Sequence, residues 1–336
     1  MDRAHDMVDA RIAVMEDKIR RVYRKAYIDT RRKLREHLES FGPEDEAMRA
    51  QVDAGEITMR QYERWRRDYV MLGERWEKMA DVLAKDFTRS AEIAASIVNE
   101  NVPWCFALNH DYGFYEIESG FGFEVGYTLY DRDALAQLVN ESPNLLPMAS
   151  VDEGEHTEWM AQKVTEAVTQ GLLTGDTIPE LAKRMEQVAA MSANASVRTA
   201  RTAMTAAENM GRQASYERAQ SMGIRLKKEW VATLDNRTRE SHRKLMGKVV
   251  DVGAEFMRGL EYPGDPHGRP EEVYNCRCTM VTRLEGFEDP GIIDLKRIRI
   301  DGLTFEEWLA MKDPEEKMAE RAAAKEARAS GKKKGR

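Results

Sequence analysis

A chain of 336 residues can hold two domains of ordinary size, or one compact domain with long helical extensions. Apolar residues make up 42% and charged ones 33%, which leaves much of the length as solvated or partner-facing helix surface and predicts an elongated, mostly α molecule. Three cysteines exclude a disulfide scaffold, and no apolar run reaches the ~18 residues that span a bilayer, so a soluble protein of a reducing cytoplasm with no membrane partner is expected.

The first element is a long helix. Val8, Ile12, Met15, Ile19, Val22 and Ala26 recur in alternating four- and three-residue steps, a heptad seam, and Arg11, Lys18, Lys25 and Arg32 repeat every seven residues beside it. A seam flanked by one sign of charge suits an acidic partner surface; the simpler reading is an intramolecular helical hairpin. The net charge of −7 contrasts with this basic segment and with the closing "GKKKGR", whose Lys332, Lys333 and Lys334 suit contact with a polyanion such as DNA. Charge runs of this kind are also ordinary solvated faces.

"SFGPEDE" ends the first helix, and two or three more follow, with Trp65, Tyr69, Leu72, Trp76, Met79 and Leu83 near helical spacing as core. From Pro103 the texture turns to glycines among Phe, Tyr and Trp in "PWCFALNHDYGFYEIESGFGFEVGYTLYD". That mixture predicts a short β-hairpin or extended arm, with a base-stacking platform as the alternative. "DRDALAQLVNESPNLLP" reads as a short helix ended by Pro143. Beyond a polar joint come "TEWMAQKVTEAVTQGLLTG", a helix opened by Thr177 with Pro179 in its first turn, and an Ala-rich helix from Asn194 to about Met222.

The remainder mixes elements. "IRLKKEWVAT" alternates like a strand, "NRTRESHRKLMG" is a short helix capped by Asp235 or Asn236 and ended by Gly247, and "KVV" begins a second strand. "YPGDPHGRP" is a rigid loop, "NCRCTMVTRL" a third strand, and "TFEEWLAMKDPEEKMAERAAAKEARAS" a last helix. The predicted organisation is a helical docking region over residues 1–102, a Gly/aromatic hairpin and short helix over 103–150, a helical region over 151–223, a small α+β module over 224–287, and a C-terminal helix with basic tail over 288–336.

Three segments of this last half, "RTAMTAAENMGRQASYERA", "KEWVATLDNRTRESHRKLMG" and "YPGDPHGRPEEVYNCRC", occur in an order that resembles the phage head-morphogenesis proteins, the Mu-F-like minor head (minor capsid) family of tailed bacteriophages. The resemblance is specific over residues 190–285; upstream helices share only general character. It implies a minor capsid component of the virion, assembled into procapsids in the bacterial host cytoplasm, touching the portal protein, with DNA, a scaffold or the major capsid protein as further partners. It also implies a role in assembly and DNA delivery rather than catalysis. Some members carry a toxin or ADP-ribosyltransferase domain after this module; the chain beyond Cys278 is too short for one, so no enzyme is expected.

The same stretch gathers Trp230, Asp235, Arg237, Arg239, His242, Gly247, Asp265 and Asn275, residue types that serve chemistry or architecture alike. Read as architecture, Asp235 caps a helix while Arg237 and Arg239 pair with Asp265 or Glu271. Read as chemistry, His242 is a general base and the arginines clamp phosphate, giving a metal-assisted nuclease or hydrolase centred on Asp235, His242 and the Cys276/Cys278 pair. On a strand, Cys276 and Cys278 share one face. They fit two thiols packing a small β core, so no cofactor is expected; the alternative is zinc on His242, Cys276 and Cys278, completed by His267, Asp235 or Asp265.

Overall fold

The computed structural model describes residues 2–71, 74–129, 146–174, 176–287, 300 and 302–313. The helix predicted to end at Pro143, most of the C-terminal helix, Leu72, and Lys332, Lys333 and Lys334 lie outside the described residues. The helices are α1 Arg3–Glu39, α2 Gly42–Asp53, α3 Met59–Met71, α4 Glu74–Asn99, α5 Val102–Phe121, α6 Glu153–Leu173 and α7 Ile178–Ser221. Then follow β1 Ile224–Val231, α8 Glu240–Leu245, β2 Val249–Asp251, α9 Pro270–Val273, β3 Thr279–Phe287 and α10 Phe305–Lys312. The fold is mostly α with one small antiparallel sheet of order β2-β1-β3, as composition and pattern predict. No helix among the described residues is long and apolar enough to cross a membrane.

The chain forms two compact units, one of residues 11–100 and 148–200, the other of residues 1–10, 101–147 and 201–336. In the helical unit, α4 packs along α6 through Leu83, Phe87, Met160 and Val164, all fully buried. Lys33 of α1 bonds Asp86 of α4 at 2.6 Å, and the buried Tyr23 hydroxyl meets Ser196 Oγ of α7 at 2.8 Å, so the seam side of α1 faces the chain's own helices. Ile12, Met15, Ile19 and Ala26 are buried as the heptad spacing predicts. At the expected Val22, however, Tyr23 takes the core position and Val22 is half-buried, because a straight helix of 3.6 residues per turn drifts from a 3.5-residue repeat. Trp76 and Leu83 are core, Trp65 and Met79 half-buried; Tyr69 is exposed and stacks on Trp65 at 4.9 Å.

Two expectations fail here. The Gly/aromatic segment is the helix α5 as far as Phe121, in place of the expected hairpin, arm or stacking platform, and the two helices expected on either side of residue 194 are the single α7. A helix buried all round shows no amphipathic period, and α5 is buried from Val102 to Phe114 over nearly every residue. Its glycines are contact points rather than turns. A Cβ on Gly113 would lie 1.9 Å from Ser215 Oγ, and one on Gly120 2.4 Å from Leu284 Cδ1. From the other side, a Cβ on Gly211 of α7 would lie 2.3 Å from the Phe106 carbonyl oxygen, so the two helix backbones cross in near contact. For α7 itself, no Gly or Pro falls between Pro179 and Gly211, and nothing in "AAMSANAS" stops a helix.

β1 alternates inward and outward as predicted, pairing with β2 at Lys228↔Val250 and with β3 at Trp230↔Met280. Its inward row is Ile224, Leu226, Lys228 and Trp230. The buried Lys228 Nζ donates to Gln213 Oε1 at 3.1 Å and lies 5.4 Å from the Phe256 ring centre; burial pulls its pKa down to about 8. α10 opens with a capping box between Thr304 and Glu307.

The α5–α7 crossing gives a direct test. Gly211→Ala should cost about 1–3 kcal/mol, since a backbone carbonyl cannot swing away as a side chain does. Gly42→Ala, with no atom within 4 Å of its added Cβ, should change stability by less than about 0.5 kcal/mol. Thermal unfolding followed by circular dichroism compares the two.

Candidate metal centre and the polar network that holds it

The chain leaves β1 at Val231 and turns sharply before α8. Asp235 makes that turn: its Oδ1 accepts from the Arg237 amide at 2.9 Å and from Thr238 Oγ1 at 3.1 Å. Arg277 Nη1 and Nη2 each donate to the same carboxylate at 2.7 Å, and these bonds hold Asp235 well below the usual carboxylate range. Asp235 is therefore not the cap of α8, which starts at Glu240 behind Arg239 with no side-chain cap. The Asx turn takes up the intervening residues. Gly247, at φ 76°, follows the helix as predicted.

The expected partners of the arginines also differ. Arg237 Nε lies 3.6 Å from Asp235 Oδ2, and the Arg239 guanidinium donates to the Tyr274 carbonyl. Asp265 instead organises its own loop: buried, it accepts from the Glu261 amide at 3.0 Å, from the His267 amide at 2.9 Å, and contacts His267 Nδ1 at 2.8 Å. Glu271 pairs with Arg269. For Arg237, Asp265 and Glu271 the partner is a group within four residues in sequence, already held close by the turn.

His242 projects from α8 into the core, 1% exposed, edge-on to Trp230 with ring centres 5.1 Å apart. Its Nδ1 lies 3.6 Å from Cys276 Sγ and 3.5 Å from Cys278 Sγ, and its Nε2 lies 3.0 Å from Glu272 Oε2. Both thiols are buried and free. They are not on the predicted strand: β3 begins at Thr279, and the exposed Asn275, at φ 56°, turns the chain just before Cys276. Among the described residues, His242, Cys276 and Cys278 form a group whose donor atoms lie within 4.8 Å of one another. A hydrogen bond with Cys276 holds the Cys278 thiol low, and the same bond with burial pushes Cys276 up.

α7 fixes this segment from behind. Thr205 Oγ1 donates to the Cys276 carbonyl at 2.8 Å, Asn209 Nδ2 to the Cys278 carbonyl at 3.1 Å, and Arg212 Nη1 to the Met280 carbonyl at 2.8 Å. Side chains four and three residues apart on one helix face thus meet alternate carbonyls of an extended segment, in place of a neighbouring strand. Sequence reasoning missed these residues. Their signal is the polar run Glu208, Asn209, Arg212 and Gln213 on an Ala-rich helix, which periodicity alone assigns to solvent.

Arg212 is fully buried. Besides Met280 it reaches Asp2 Oδ1 at 2.7 Å and Asn109 Oδ1 at 3.1 Å, with Glu116 and Glu208 each at 3.9 Å and the Tyr112 ring 4.9 Å away. Burial raises Glu116 to about 7 despite the nearby guanidinium. Burial opposes charge on His5, but Glu208 at 2.8 Å outweighs it and lifts His5 to about 9. The arrangement does not favour the hydrolase reading, since Asp235 is held by Arg277 and His242 sits between two sulfurs and Glu272. Arg11, Lys18, Lys25 and Arg32 are exposed along α1.

Two outcomes follow from the network. Arg212→Met should cost about 3–5 kcal/mol, because buried carboxylates lose their counter-charge, and chemical denaturation reads that loss. The stability that charged His5 contributes is full below its ordinary 6.5 and is lost as pH rises through about 9. The melting-temperature gap between the native protein and His5→Asn should therefore narrow across that interval.

Comparison with known proteins places this geometry. Residues 162–281 match the family described as Phage Mu protein F like protein. The minor head protein GP7 of Bacillus phage SPP1 is 29% identical over 235 residues, covering 68% of this chain and 74% of that protein. The NAD(+)–arginine ADP-ribosyltransferase EFV of Enterococcus faecalis (strain ATCC 700802 / V583) is 30% identical over 200 residues, 59% of this chain but only 41% of that relative's length. No solved structure gives a significant match. The matched segment contains α7, β1, α8, both cysteines and the first residues of β3, and over it the chain is similar to the phage minor head protein family, which the match to GP7 also supports.

Proposed function

We propose that the protein acts without catalysis in procapsid assembly, docking on the portal through the basic face of α1. The observation that carries this reading is the row Arg11, Lys18, Lys25 and Arg32, exposed at seven-residue intervals along α1 beside its buried seam. Such a row offers an acidic protein surface a linear set of charges at fixed spacing. The polar cluster around Asp235, Arg277 and Asp265 serves the fold: each carboxylate closes a turn, Asp235 against the Arg277 guanidinium and Asp265 beside the His267 ring. Virion location, assembly in the host cytoplasm, and a scaffold or the major capsid protein as further neighbours belong to the same reading. Lys332, Lys333 and Lys334 add sequence-independent contact with packaged DNA, through counterion release.

Because α1 also supplies buried residues, the test alters charge and leaves the helix intact. Lys18, Lys25 and Arg32 changed together to Gln should leave the melting temperature within a few degrees and sharply reduce co-purification with the portal of the same phage. Unchanged capture at matched ionic strength would remove the docking role. For the tail, DNA binding should weaken steeply with salt, and the Gln triple variant at Lys332, Lys333 and Lys334 should reduce the slope of log K against log[salt] by about 2–3. Salt-insensitive binding contradicts it.

A further inference from the structure

We infer that His242, Cys276 and Cys278 bind a zinc ion that staples the α8, α9 and β3 segments together. Tetrahedral zinc, with bonds of about 2.3 Å to sulfur and about 2.0–2.1 Å to nitrogen, sets those donors roughly 3.5–3.6 Å apart. The two observed S···Nδ1 separations are 3.6 and 3.5 Å.

Thiol packing alone accounts poorly for this arrangement. A neutral imidazole nitrogen offers one lone pair, yet two sulfurs converge on Nδ1. Only one S–H can be accepted there, and a cation lying among the three donors satisfies all of them. Glu272 stands beside the other ring nitrogen. Its Oε2 lies 3.0 Å from Nε2, although off the best hydrogen-bond direction, and also accepts from Ser241 Oγ at 2.8 Å. A carboxylate beside the ring nitrogen that does not ligate is the outer-shell arrangement typical of zinc-bound histidine.

The backbone is prepared for the same task. Thr205 and Asn209 hold the carbonyls of Cys276 and Cys278, which fixes where the two sulfurs point. Of the side chains that sequence offered as further ligands, Asp235 is held by Arg277, and Asp265 and His267 by each other. Among the described residues three protein donors converge, which leaves the fourth position open to a water. All three ligands are buried, so the ion's role is structural, and its binding energy adds to the stability of this unit.

The experiment uses the full chain. Protein expressed with zinc and freed of loose metal should carry stoichiometric zinc by mass spectrometry. Cobalt exchanged into it should show the intense visible bands of a tetrahedral site and thiolate-to-metal charge transfer. Cys276→Ser and Cys278→Ser should each abolish the metal, while Glu272→Gln should keep it and weaken affinity by ~10–100-fold in chelator competition. If the serine variants fail to fold, the native protein decides: chelation should lower its melting temperature, expose Cys276 and Cys278 to alkylation, and be reversed by added zinc. A metal-free protein that takes up neither zinc nor cobalt and melts identically with and without chelator overturns the inference and leaves thiol packing.

Discussion

The guanidinium of Arg212 is a full charge with no access to water, and the unit that surrounds it exists in its present form only because that charge is met. Desolvating such a group costs several kcal/mol before any partner is counted. The partners come from four separate places in the chain: Asp2 at the start, Asn109 and Glu116 on α5, Glu208 on the same helix, and the Met280 carbonyl at the head of β3. Each must be in place for the others to be useful. A network of this kind stabilises less than its list of bonds suggests, but it penalises any arrangement in which one element is missing or slips by a turn.

That constraint reaches the cysteine segment. Arg212 is the last of three α7 side chains that hydrogen-bond the carbonyls of residues 276, 278 and 280. The register of α7 therefore sets the register of the segment carrying both thiols, and β1 pairing sets the other edge of β3. His242 arrives from α8 against Trp230, whose indole lines the inner row of β1. The close S···N geometry is thus a consequence of helix, sheet and buried charge together, with no single strong contact responsible.

The glycines of α5 and α7 serve the same end by a different route. Gly113, Gly120 and Gly211 remove side chains where Ser215, Leu284 and the Phe106 carbonyl approach, which lets Asn109 and Glu116 come within reach of Arg212. In the helical unit, by contrast, ordinary apolar packing suffices. Its core positions on α1, α4 and α6 are mainly Ile, Leu, Met, Val and Ala with the aromatics Tyr23, Trp76 and Phe87, and cross-links such as Lys33 to Asp86 lie at the margins.

The amino-acid pattern determined those features that depend on local spacing. The buried positions of α1, the alternation of β1, the turn at Gly247 and the ordered anchors of the minor head family are all readable because neighbours in sequence create them. The tertiary structure alone decided the rest. Complete burial erased the period of α5, so glycine and aromatic residues that suggest a hairpin belong to a packed helix. Asp235 was legible only as a helix cap, but it closes a turn instead, and its partner Arg277 lies 42 residues away, a pairing that no local spacing signals. His242 and the two cysteines were legible as donors, while their convergence depends on α7, which contributes no ligand. Arg212 itself reads as one more surface cation on an Ala-rich helix, because the carboxylates that make its burial tolerable come from segments that only folding brings together.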